Sequence, residues 1–396
     1  MRPMRIAFLI RTLETGGAER QLTELAKGLA QRGHAVLVLV YYAVGPWARE
    51  IEAAGGQVHQ LGKRGRWDLR RTGRQIVSIL RQFRPDVVHS YMVGSNIMVG
   101  MLQRQLRPAR LVFGVRGTYT DFPTLSFRVF LSVERLLSRF VDLIVCNSQA
   151  ARAHCASRGY PESRLVVVPN GIDTNRFRPD PDARSRLRSQ WGFDAGHVVI
   201  GVVARLDVMK DHMTFLRAAA VIAAQMPQVR FVCVGDGEDA ELQRLLRTET
   251  RRLGLEPLLR WEPATTRPED VYNALDIGVQ PSQFNEGFPN VIAEGMSCGL
   301  LYVATRVGDA PLVIGDPRYV VQPRDPEALA QLVLRVIASG EYRDRASRRE
   351  SIERRFSVAR MVDSTEQLLR QLVGSPQEDS GGDPTHARVV DEGARR

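Results

Sequence analysis

The stretch Ile6-Ala-Phe-Leu-Ile10 is followed by Arg11-Thr-Leu-Glu-Thr-Gly-Gly-Ala-Glu19, and a helical pattern then runs over 18–31. Five consecutive apolar residues before a glycine turn are typical of a strand that is buried on both faces of a parallel sheet. A helix that follows such a strand directly indicates a β-α unit. This first segment therefore favours a doubly wound α/β fold.

The same alternation of apolar runs and helical patterns continues through two blocks of the chain. The predicted strands are Ile6–Ile10, Val36–Val40, Val87–His89, Leu111–Phe113, Leu143–Cys146, Leu165–Val168, Val198–Ala204, Phe231–Val234, Leu258–Trp261, Ile277–Gln280 and Leu301–Ala304. The predicted helices are Ala18–Gln31, Leu69–Phe83, Ser95–Leu106, Ser126–Phe140, Asp211–Gln225, Asp239–Leu253, Arg267–Ala274, Asn290–Ser297, Pro326–Ile337 and Val358–Leu372. A turn-rich break over 169–182 separates the blocks, so we expect two doubly wound domains with the ligand site in the cleft between them.

Composition excludes several other classes of protein. The 396 residues are 44% hydrophobic and 25% charged, which is ordinary for globular domains. Four cysteines stand far apart with no C-x-x-C pair, which predicts a reduced chain without a zinc ribbon. No apolar run approaches the ~18–20 residues of a membrane span, and the first one is too short for a signal peptide. These features predict a cytoplasmic protein.

Basic charge is concentrated in the first half of the chain. Residues 1–175 hold 25 basic and 12 acidic side chains, whereas the remainder holds 30 and 32. Aromatic stacking platforms do not accompany the basic residues, so nucleic acid is not a predicted partner. Basic amphipathic patterns follow Trp67 and recur over 126–140, which suits an anionic membrane surface, although core packing also explains many of their apolar residues. Peripheral binding at the inner face of the cell membrane stays open.

Two loops that follow strands carry groups suited to a phosphate. Gly16 and Gly17 allow backbone amides to approach a ligand at a helix start, where an anion is favoured. Arg205 and Lys210 follow the first strand of the second block, at the edge where open α/β sheets bind ligands. Two cations there suit a diphosphate. A plain turn and solvated surface charge are the alternatives.

The most specific motif is Ser282-Gln-Phe-Asn-Glu-Gly-Phe-Pro-Asn-Val-Ile-Ala-Glu-Gly-Met-Ser-Cys-Gly299. Glu286 lies on a glycine and proline loop after a strand, and Asn290 is predicted to cap the helix that carries Glu294. Carboxylates accept paired hydrogen bonds from vicinal sugar hydroxyls, so these two could hold two polyols. Backbone amides at the helix start would face a phosphate or a sugar.

These motifs resemble those of the retaining GT-B glycosyltransferases of family 4. The resemblance covers about residues 4–373 and rests mainly on the E-x7-E spacing of Glu286 and Glu294. It is supported by Gly16-Gly-Ala-Glu19, Val168-Pro-Asn-Gly-Ile-Asp173, Arg205 with Lys210, Val234-Gly-Asp-Gly237 and Ala304-Thr-Arg-Val-Gly308. It implies two Rossmann-like domains: an acceptor-binding domain over 1–178 and a donor-binding domain over 179–356. A helix over 357–373 would return to the first domain, and a disordered tail would occupy 374–396.

The resemblance also implies residue roles around a nucleotide-sugar donor. Arg205 and Lys210 would neutralise the diphosphate, Glu286 would bind the transferred sugar, and Glu294 would hold the ribose. Further donor contacts would come from Gly16, Gly17, Phe288, Pro289, Asn290 and Val291. The acceptor would be a growing glycan or a lipid-linked glycan precursor, and no cofactor or metal ion is expected. Asp180-Pro-Asp182 matches a metal-binding string but lies in the predicted linker, so we interpret it as chance.

The chain departs from the family pattern at several loops. Asp211 and Asp309 stand where glycine is usual, which leaves the nucleotide undetermined. Arg116 stands where many members have histidine, and a guanidinium cannot act as a base. Arg116 would instead stabilise the leaving phosphate or hold an anionic acceptor, with a surface role as the alternative. His89, at a strand end, is a candidate for a sugar contact.

Other functions remain as alternatives. Gly235-Asp-Gly-Glu-Asp-Ala240 imitates a dinucleotide fingerprint, but no acidic residue ends a following strand at the required spacing, which argues against a dehydrogenase. A GT-B sugar-nucleotide epimerase would need acid and base groups in the cleft of the second domain. A basic protein that binds nucleic acid or a membrane surface is the alternative from another class.

Overall fold

The computed structural model describes residues 2–14, 16–65, 67–118 and 125–375, and its first half is built on a seven-stranded parallel sheet. The strands are β1 Arg5–Ile10, β2 Ala35–Val40, β3 Gln57–Gln60, β4 Val87–Tyr91, β5 Arg110–Val115, β6 Leu143–Cys146 and β7 Leu165–Val167. Their order is β3-β2-β1-β4-β5-β6-β7, with β1 paired to both β2 and β4. Every carboxyl end therefore lies at one edge.

Helices cover both faces of this sheet. They are α1 Gly17–Gln31, α2 Trp47–Ala53, α3 Leu69–Phe83, α4 Met92–Leu106, α5 Leu125–Leu137 and α6 Gln149–Ser157. Alternate residues of β1 enter opposite cores: Ala7 and Leu9 pack under α3 and α4, whereas Ile6 and Phe8 pack under α1. The near-continuous apolar strands predict this two-sided burial, and the structure confirms it.

The second half repeats the design with six parallel strands. They are β8 Val198–Val203, β9 Val229–Val234, β10 Leu259–Glu262, β11 Ile277–Gln280, β12 Leu301–Thr305 and β13 Val320–Val321, in the order β10-β9-β8-β11-β12-β13. Its helices are α7 Pro181–Trp191, α8 His212–Gln225, α9 Ala240–Arg252, α10 Pro268–Ala274, α11 Asn290–Ser297, α12 Ala310–Ile314, α13 Pro326–Ser339 and α14 Ala346–Phe356. Two doubly wound domains are thus confirmed.

The last helix, α15 Val358–Gly374, leaves the second sheet and packs on the first. A side-chain atom added to Gly28 of α1 would lie 2.5 Å from Val362, so the two helices are in close contact. Arg32 forms ion pairs with Asp363 at 2.6 Å and Glu366 at 2.7 Å. Gly374 is the last residue of this helix, and residues 376–396 of the predicted tail lie outside the described residues.

The chain passes between the domains twice, and the two crossings are hydrogen-bonded to each other. Ile172 forms a parallel bridge with Ser357. The Ile172 amide donates to the Phe356 carbonyl at 2.7 Å, and the Val358 amide donates to the Ile172 carbonyl at 3.1 Å. Gly171 leaves no room for a side chain, because an added Cβ would lie 2.8 Å from the Cα of Val358.

Several elements differ from those predicted. The break over 169–182 ends earlier than expected, because Asp180 caps α7 by accepting from the amides of Asp182 and Ala183 at 3.0 and 2.9 Å. The string Asp180-Pro-Asp182 is thus a helix start, with proline at the first helical position. The unpredicted elements are α2, α6, α7, α12, α14, β3 and β13. Within the described ranges, no helix combines the length and apolarity needed to cross a bilayer.

Candidate active site

A cleft of about 1070 Å³ lies between the carboxyl edges of the two sheets. The N-terminal domain contributes Gly16, Gly17 and Arg20 from the start of α1. The C-terminal domain contributes the loops after β8 and β9 and the start of α11. Six predicted site residues line the cleft: Gly16, Gly17, Arg205, Asn290, Val291 and Glu294. The two domains thus bring together residues that are up to 278 positions apart in the sequence.

Glu286 and Lys210 form an ion pair on the loops after β11 and β8. The Lys210 ammonium contacts one carboxylate oxygen of Glu286, and the Ser282 hydroxyl donates to the same oxygen at 2.7 Å. Glu286 is buried, and burial alone would raise its pKa. The nearby Lys210 charge and these hydrogen bonds outweigh burial and hold the pKa of Glu286 below its ordinary value. The carboxylate is therefore ionised at neutral pH and poised to accept hydrogen bonds.

Glu294 is buried on α11 and is held from both domains. Arg20 of α1 forms an ion pair with one carboxylate oxygen, and the Tyr272 hydroxyl donates to the other at 2.9 Å. The Arg20 guanidinium also lies 5.5 Å from the Phe177 ring centre. Burial lowers the pKa of Arg20. Arg20 and Tyr272 were not predicted as site residues. The position of Arg20, one turn after the glycine pair, was the feature from which it could have been predicted.

The glycine loop of the N-terminal domain approaches the start of α11. A Cβ added to Gly17 would lie 3.2 Å from the side-chain nitrogen (Nδ2) of Asn290, so a larger residue would crowd the cleft. Asn290 is the first helical residue and Pro289 occupies the cap position, so the predicted capping role of Asn290 is wrong. The Asn290 side chain instead accepts a hydrogen bond from Asn170 at 2.9 Å. The amino terminus of α11 faces the cleft, because Asn290, Val291 and Glu294 line it.

Arg205 is the most available cation of the second domain. Its side chain is 75% exposed, and its nearest carboxylate, that of Asp207, lies 3.6 Å away. Such a loose, exposed pair holds the guanidinium weakly. Arg205 can therefore turn to an anion in the cleft at little cost.

The carboxyl edge of the first sheet carries a row of cations stacked on tyrosines. Arg11 follows β1 and Lys63 follows β3, and both lie over the Tyr42 ring, at 5.8 and 5.5 Å from its centre. Arg116 follows β5 and lies 4.0 Å over the Tyr91 ring. Among the described residues, none of the three cations forms an ion pair with a carboxylate. This edge is therefore electropositive and lined with aromatic faces.

His89 does not reach the cleft. It is fully buried between the rings of Phe8 and Tyr91, at 5.6 and 4.9 Å, and neither ring nitrogen has a hydrogen-bond partner among the residues that the structure describes. Burial and the nearby Arg116 charge lower the pKa of His89 well below its ordinary value, so the ring is neutral. The buried ring packs on Tyr91, and the sugar contact of His89 stays a prediction.

The side chain of Phe288, another predicted donor contact, is buried against Phe356, with ring centres 5.2 Å apart, so only its backbone is available to a ligand. The oxygen of the Glu286 carbonyl accepts from the Thr118 hydroxyl at 3.1 Å, across the domain boundary. Across residues 2–14, 16–65, 67–118 and 125–375, no three histidine, cysteine or acidic side chains cluster closely enough to hold a metal ion.

Asp309, one of the departures from the family pattern, joins the two domains. Its carboxylate accepts from the amides of Gln149 and Ala150 at 2.8 and 2.9 Å, at the start of α6 in the other domain. Burial raises the pKa of Asp309, and these two hydrogen bonds oppose that rise. A carboxylate at a helix amino terminus is stabilising. Asp309 therefore acts as a helix cap that crosses the cleft.

Comparison with known families places most of the chain in one group of enzymes. Residues 15–176 match the model of Glycosyltransferase Family 4, and residues 197–339 match that of Glycosyl transferases group 1. The chain is 32% identical over 267 residues to the D-inositol 3-phosphate glycosyltransferase of Thermobispora bispora, covering 62% of this chain and 61% of that relative. The corresponding enzyme of Geodermatophilus obscurus is 29% identical over 391 residues, covering 89% and 84%.

A solved structure shows the same architecture. The Anabaena Alr3699/HepE protein in complex with UDP-glucose superposes with a TM-score of 0.80 at 24% identity, covering 93% of this chain and all of that one. At this identity the likeness concerns the fold. The GT-B fold expected from the sequence is confirmed by it and by the two parallel sheets.

Proposed function

Because this chain belongs to glycosyltransferase family 4, we propose that it transfers a sugar from a nucleotide-sugar donor to a growing glycan or lipid-linked acceptor, with retention and without a metal ion. The observation that carries the proposal is the set of groups around the cleft. An exposed arginine, a helix amino terminus and a buried carboxylate line it, and the Lys210–Glu286 pair lies on the adjoining loops. These groups match the diphosphate, ribose and sugar of such a donor in chemical type.

The diphosphate would lie between Arg205 and the start of α11. Arg205 can bind two phosphate oxygens at once, and the helix terminus offers amides and a favourable dipole. Gly16 and Gly17 would approach from the other domain, since they line the same cleft without side chains. Glu294 would accept the ribose hydroxyls once one of its oxygens is released by Arg20 or Tyr272.

The transferred sugar would lie at Glu286. Its carboxylate would accept two hydroxyl hydrogen bonds, and Lys210 would turn its charge toward the departing phosphate. The bond from the anomeric carbon to the phosphate oxygen breaks while the bond to the acceptor oxygen forms on the same face. The acceptor proton passes to the departing phosphate oxygen. The protein supplies orientation and charge stabilisation, which can account for most of a rate enhancement.

The acceptor would carry a negative charge. Arg11, Lys63 and Arg116 have no carboxylate partner among the described residues, and all three follow strands at the edge that faces the donor cleft. Cations left unpaired at a binding edge favour an anionic ligand. Two relatives of this chain are D-inositol 3-phosphate glycosyltransferases, which supports a phosphate-bearing acceptor for this chain as well.

The acceptor domain would bind the membrane through α5 and its surroundings. Six apolar residues from this helix and the turn after it are exposed, in the order Leu125, Val129, Phe130, Val133, Leu136 and Phe140. Arg128, Arg135 and Arg139 are exposed among them. Apolar side chains flanked by arginines suit the interface of an anionic bilayer. Such docking would bring a lipid-linked acceptor to the cleft and place the enzyme at the inner face of the membrane.

A thermal-shift screen of UDP, GDP and ADP, with and without EDTA, tests the donor site. A ligand at 100 times its Kd stabilises the native state by about 2.7 kcal/mol, so we expect a rise of several degrees in Tm for one nucleotide. EDTA should leave the rise unchanged, and Arg205→Gln should reduce it. Arg354→Gln is the matched control, because Arg354 is similarly exposed, at 68% against 75% for Arg205, and its ion pair is also 3.6 Å long.

Three outcomes would contradict this proposal in whole or in part. A rise that EDTA abolishes would contradict the metal-free reaction. Interconversion of nucleotide sugars without an acceptor would identify an epimerase, and stabilisation by RNA alone would favour a nucleic-acid-binding protein.

Sedimentation with vesicles tests the membrane surface. We expect the protein to co-sediment with vesicles rich in phosphatidylglycerol and not with phosphatidylcholine vesicles. Leu136→Ser should weaken this binding, whereas Leu245→Ser should not, although both leucines are similarly exposed at 55% and 54%. Equal binding by the two variants would exclude α5 as the docking surface.

A further inference from the structure

A second cavity, of about 640 Å³, lies at the amino-terminal edge of the second sheet. It is lined by residues that precede β8, β9 and β11 and by the segment after α13. The catalytic cleft lies at the carboxyl ends of these strands, so the two cavities open at opposite edges of one sheet. The size falls within the range of small-molecule sites. The lining includes Arg184, Asp276, Tyr342, Arg343 and Arg345.

Asp276 is the buried carboxylate of this cavity, and its oxygens are already occupied. Arg184 contacts Oδ1 at 2.6 Å, and Arg188 contacts Oδ2. The amide of Val199 donates to Oδ2 at 2.8 Å. Three donors thus use both oxygens, and the two arginines that contact Asp276 already outnumber its single negative charge.

Arg345 is the cation of the cavity wall that Asp276 does not contact. It is half-buried on the cavity wall and donates to the Leu275 carbonyl at 2.7 Å, yet within the described part of the chain it forms no ion pair. Burial lowers the pKa of Arg345 to about 10, with a further contribution from Arg184, so the group keeps its charge at neutral pH. Arg343 stands at the rim, exposed, with its guanidinium 5.1 Å from the Tyr342 ring centre.

Capping of the preceding helix explains part of this cluster. Arg184 and Arg188 donate to carbonyls at the end of α10, which stabilises the negative end of that helix. The lining near β8 also includes His197, whose Nδ1 accepts a hydrogen bond from the Asp194 amide at 3.1 Å. Three guanidiniums and one carboxylate therefore meet at the wall, with a fourth guanidinium at the rim. A half-buried charge without an anionic partner is costly unless a ligand supplies one.

We propose that this cavity binds a small phosphate monoester, with Arg345 and Arg343 on the phosphate. The organic part of the ligand would pack on Tyr342, Met226 and Ile337, which line the same cavity. The chemistry would suit a phosphorylated metabolite or free phosphate. The site is independent of sugar transfer, because it lies at the edge of the sheet away from the donor cleft.

Titration calorimetry with phenyl phosphate and with inorganic phosphate tests the site on the full-length protein. We expect phenyl phosphate to bind wild type, and Arg345→Gln and Arg343→Gln each to weaken it at least tenfold. Arg343 is exposed, so its variant should fold normally even where the half-buried Arg345 is sensitive. Arg205→Gln controls for binding at the donor cleft, and Arg354→Gln controls for loss of surface charge. Both controls should bind as wild type does.

The outcomes separate this site from the donor site. Tighter binding of phenyl phosphate than of inorganic phosphate would support a phosphorylated metabolite, and equal binding would support free phosphate at the same arginines. Absence of binding to wild type, or binding lost in Arg205→Gln and kept in both Arg343→Gln and Arg345→Gln, would overturn the proposal. Neither result would bear on the nucleotide screen, which reports the donor cleft alone.

Discussion

The carboxyl edges of the two sheets face each other but differ in how their charged side chains are paired. On the C-terminal side, which we propose binds the donor, the two carboxylates of the E-x7-E motif each have a cation: Lys210 contacts Glu286, and Arg20 contacts Glu294. On the acceptor side, Arg11, Lys63 and Arg116 rest on tyrosine rings and have no ion pair within the described residues. The donor side holds its charges in balance until a ligand exchanges them, whereas the acceptor side keeps an uncompensated positive charge.

Removing a donor-side carboxylate should have the largest effect. Glu286→Gln keeps the shape of the side chain but loses the charge that faces Lys210 and the sugar hydroxyls. We expect kcat/KM for the donor to fall about 10²–10³-fold, the usual cost of one group that stabilises the transition state. Steady-state kinetics at saturating acceptor measure it. Glu238→Gln, an exposed cleft residue, should remain active, and equal losses in both variants would contradict the role of Glu286.

Removing acceptor-side cations should act on the acceptor alone. Arg116→Gln and Lys63→Gln should each raise the acceptor KM about tenfold or more, because hydrogen bonds to charged groups contribute about 1.5–3 kcal/mol. The Kd of the nucleoside diphosphate should not change. Arg64→Gln serves as the control on the same loop. An acceptor KM that stays constant in both variants would show that Arg116 and Lys63 do not bind a negative charge of the acceptor.

The contact between the two edges can be weakened without touching either ligand site. Asp309→Ala removes the cap on α6, and we expect a loss of about 0.5–2 kcal/mol and a Tm lower by a few degrees. Ser148→Ala removes the cap on the same helix from within the N-terminal domain, where Ser148 accepts from Ala151 at 3.0 Å. Small-angle scattering should show expansion for Asp309→Ala only. Expansion in both variants would mean that Asp309 does not hold the domains together.

The smallest effect should appear where α15 is attached to the first domain, and only at acidic pH. Burial alone would raise the pKa of Glu366, but its hydrogen bonds from Arg32 and Arg370 dominate and lower the pKa to about 2. A lowered folded-state pKa stabilises the fold above the ordinary value near 4.5, and the contribution is lost as pH falls toward 2. Wild type should therefore lose its Tm advantage over Glu366→Gln across this interval. Parallel Tm curves for the two proteins would contradict the prediction.

Strong local patterns made much of the fold predictable. The strands Leu143–Cys146 and Ile277–Gln280 and the helices Leu69–Phe83 and Asn290–Ser297 have the predicted bounds. Elements without such a pattern were missed. The edge strand Gln57–Gln60 is polar because one side of it is open to solvent. The helix Pro181–Trp191 is rich in arginine and is fixed by its Asp180 cap rather than by an apolar stripe.

The candidate residues that the sequence points to lie within single strand-loop-helix units. Arg205 and Lys210 belong to the unit of β8 and α8, and Glu286 and Glu294 belong to the unit of β11 and α11; their roles stay predictions. Arg20 was missed because its partner, Glu294, is 274 residues away and only the fold brings them together. The surroundings of His89 were not visible for a related reason: a strand-end position does not reveal that Phe8 and Tyr91 enclose the ring.

The paired crossings at Ile172 and Ser357 have a mechanical consequence. A single linker would let the domains twist freely, but two strands joined by hydrogen bonds resist torsion and bend together. Opening of the cleft should therefore follow one rotation axis, because the two crossings act together as one hinge. The same arrangement implies that the first domain is not a self-sufficient unit, since it takes its final helix from beyond the second.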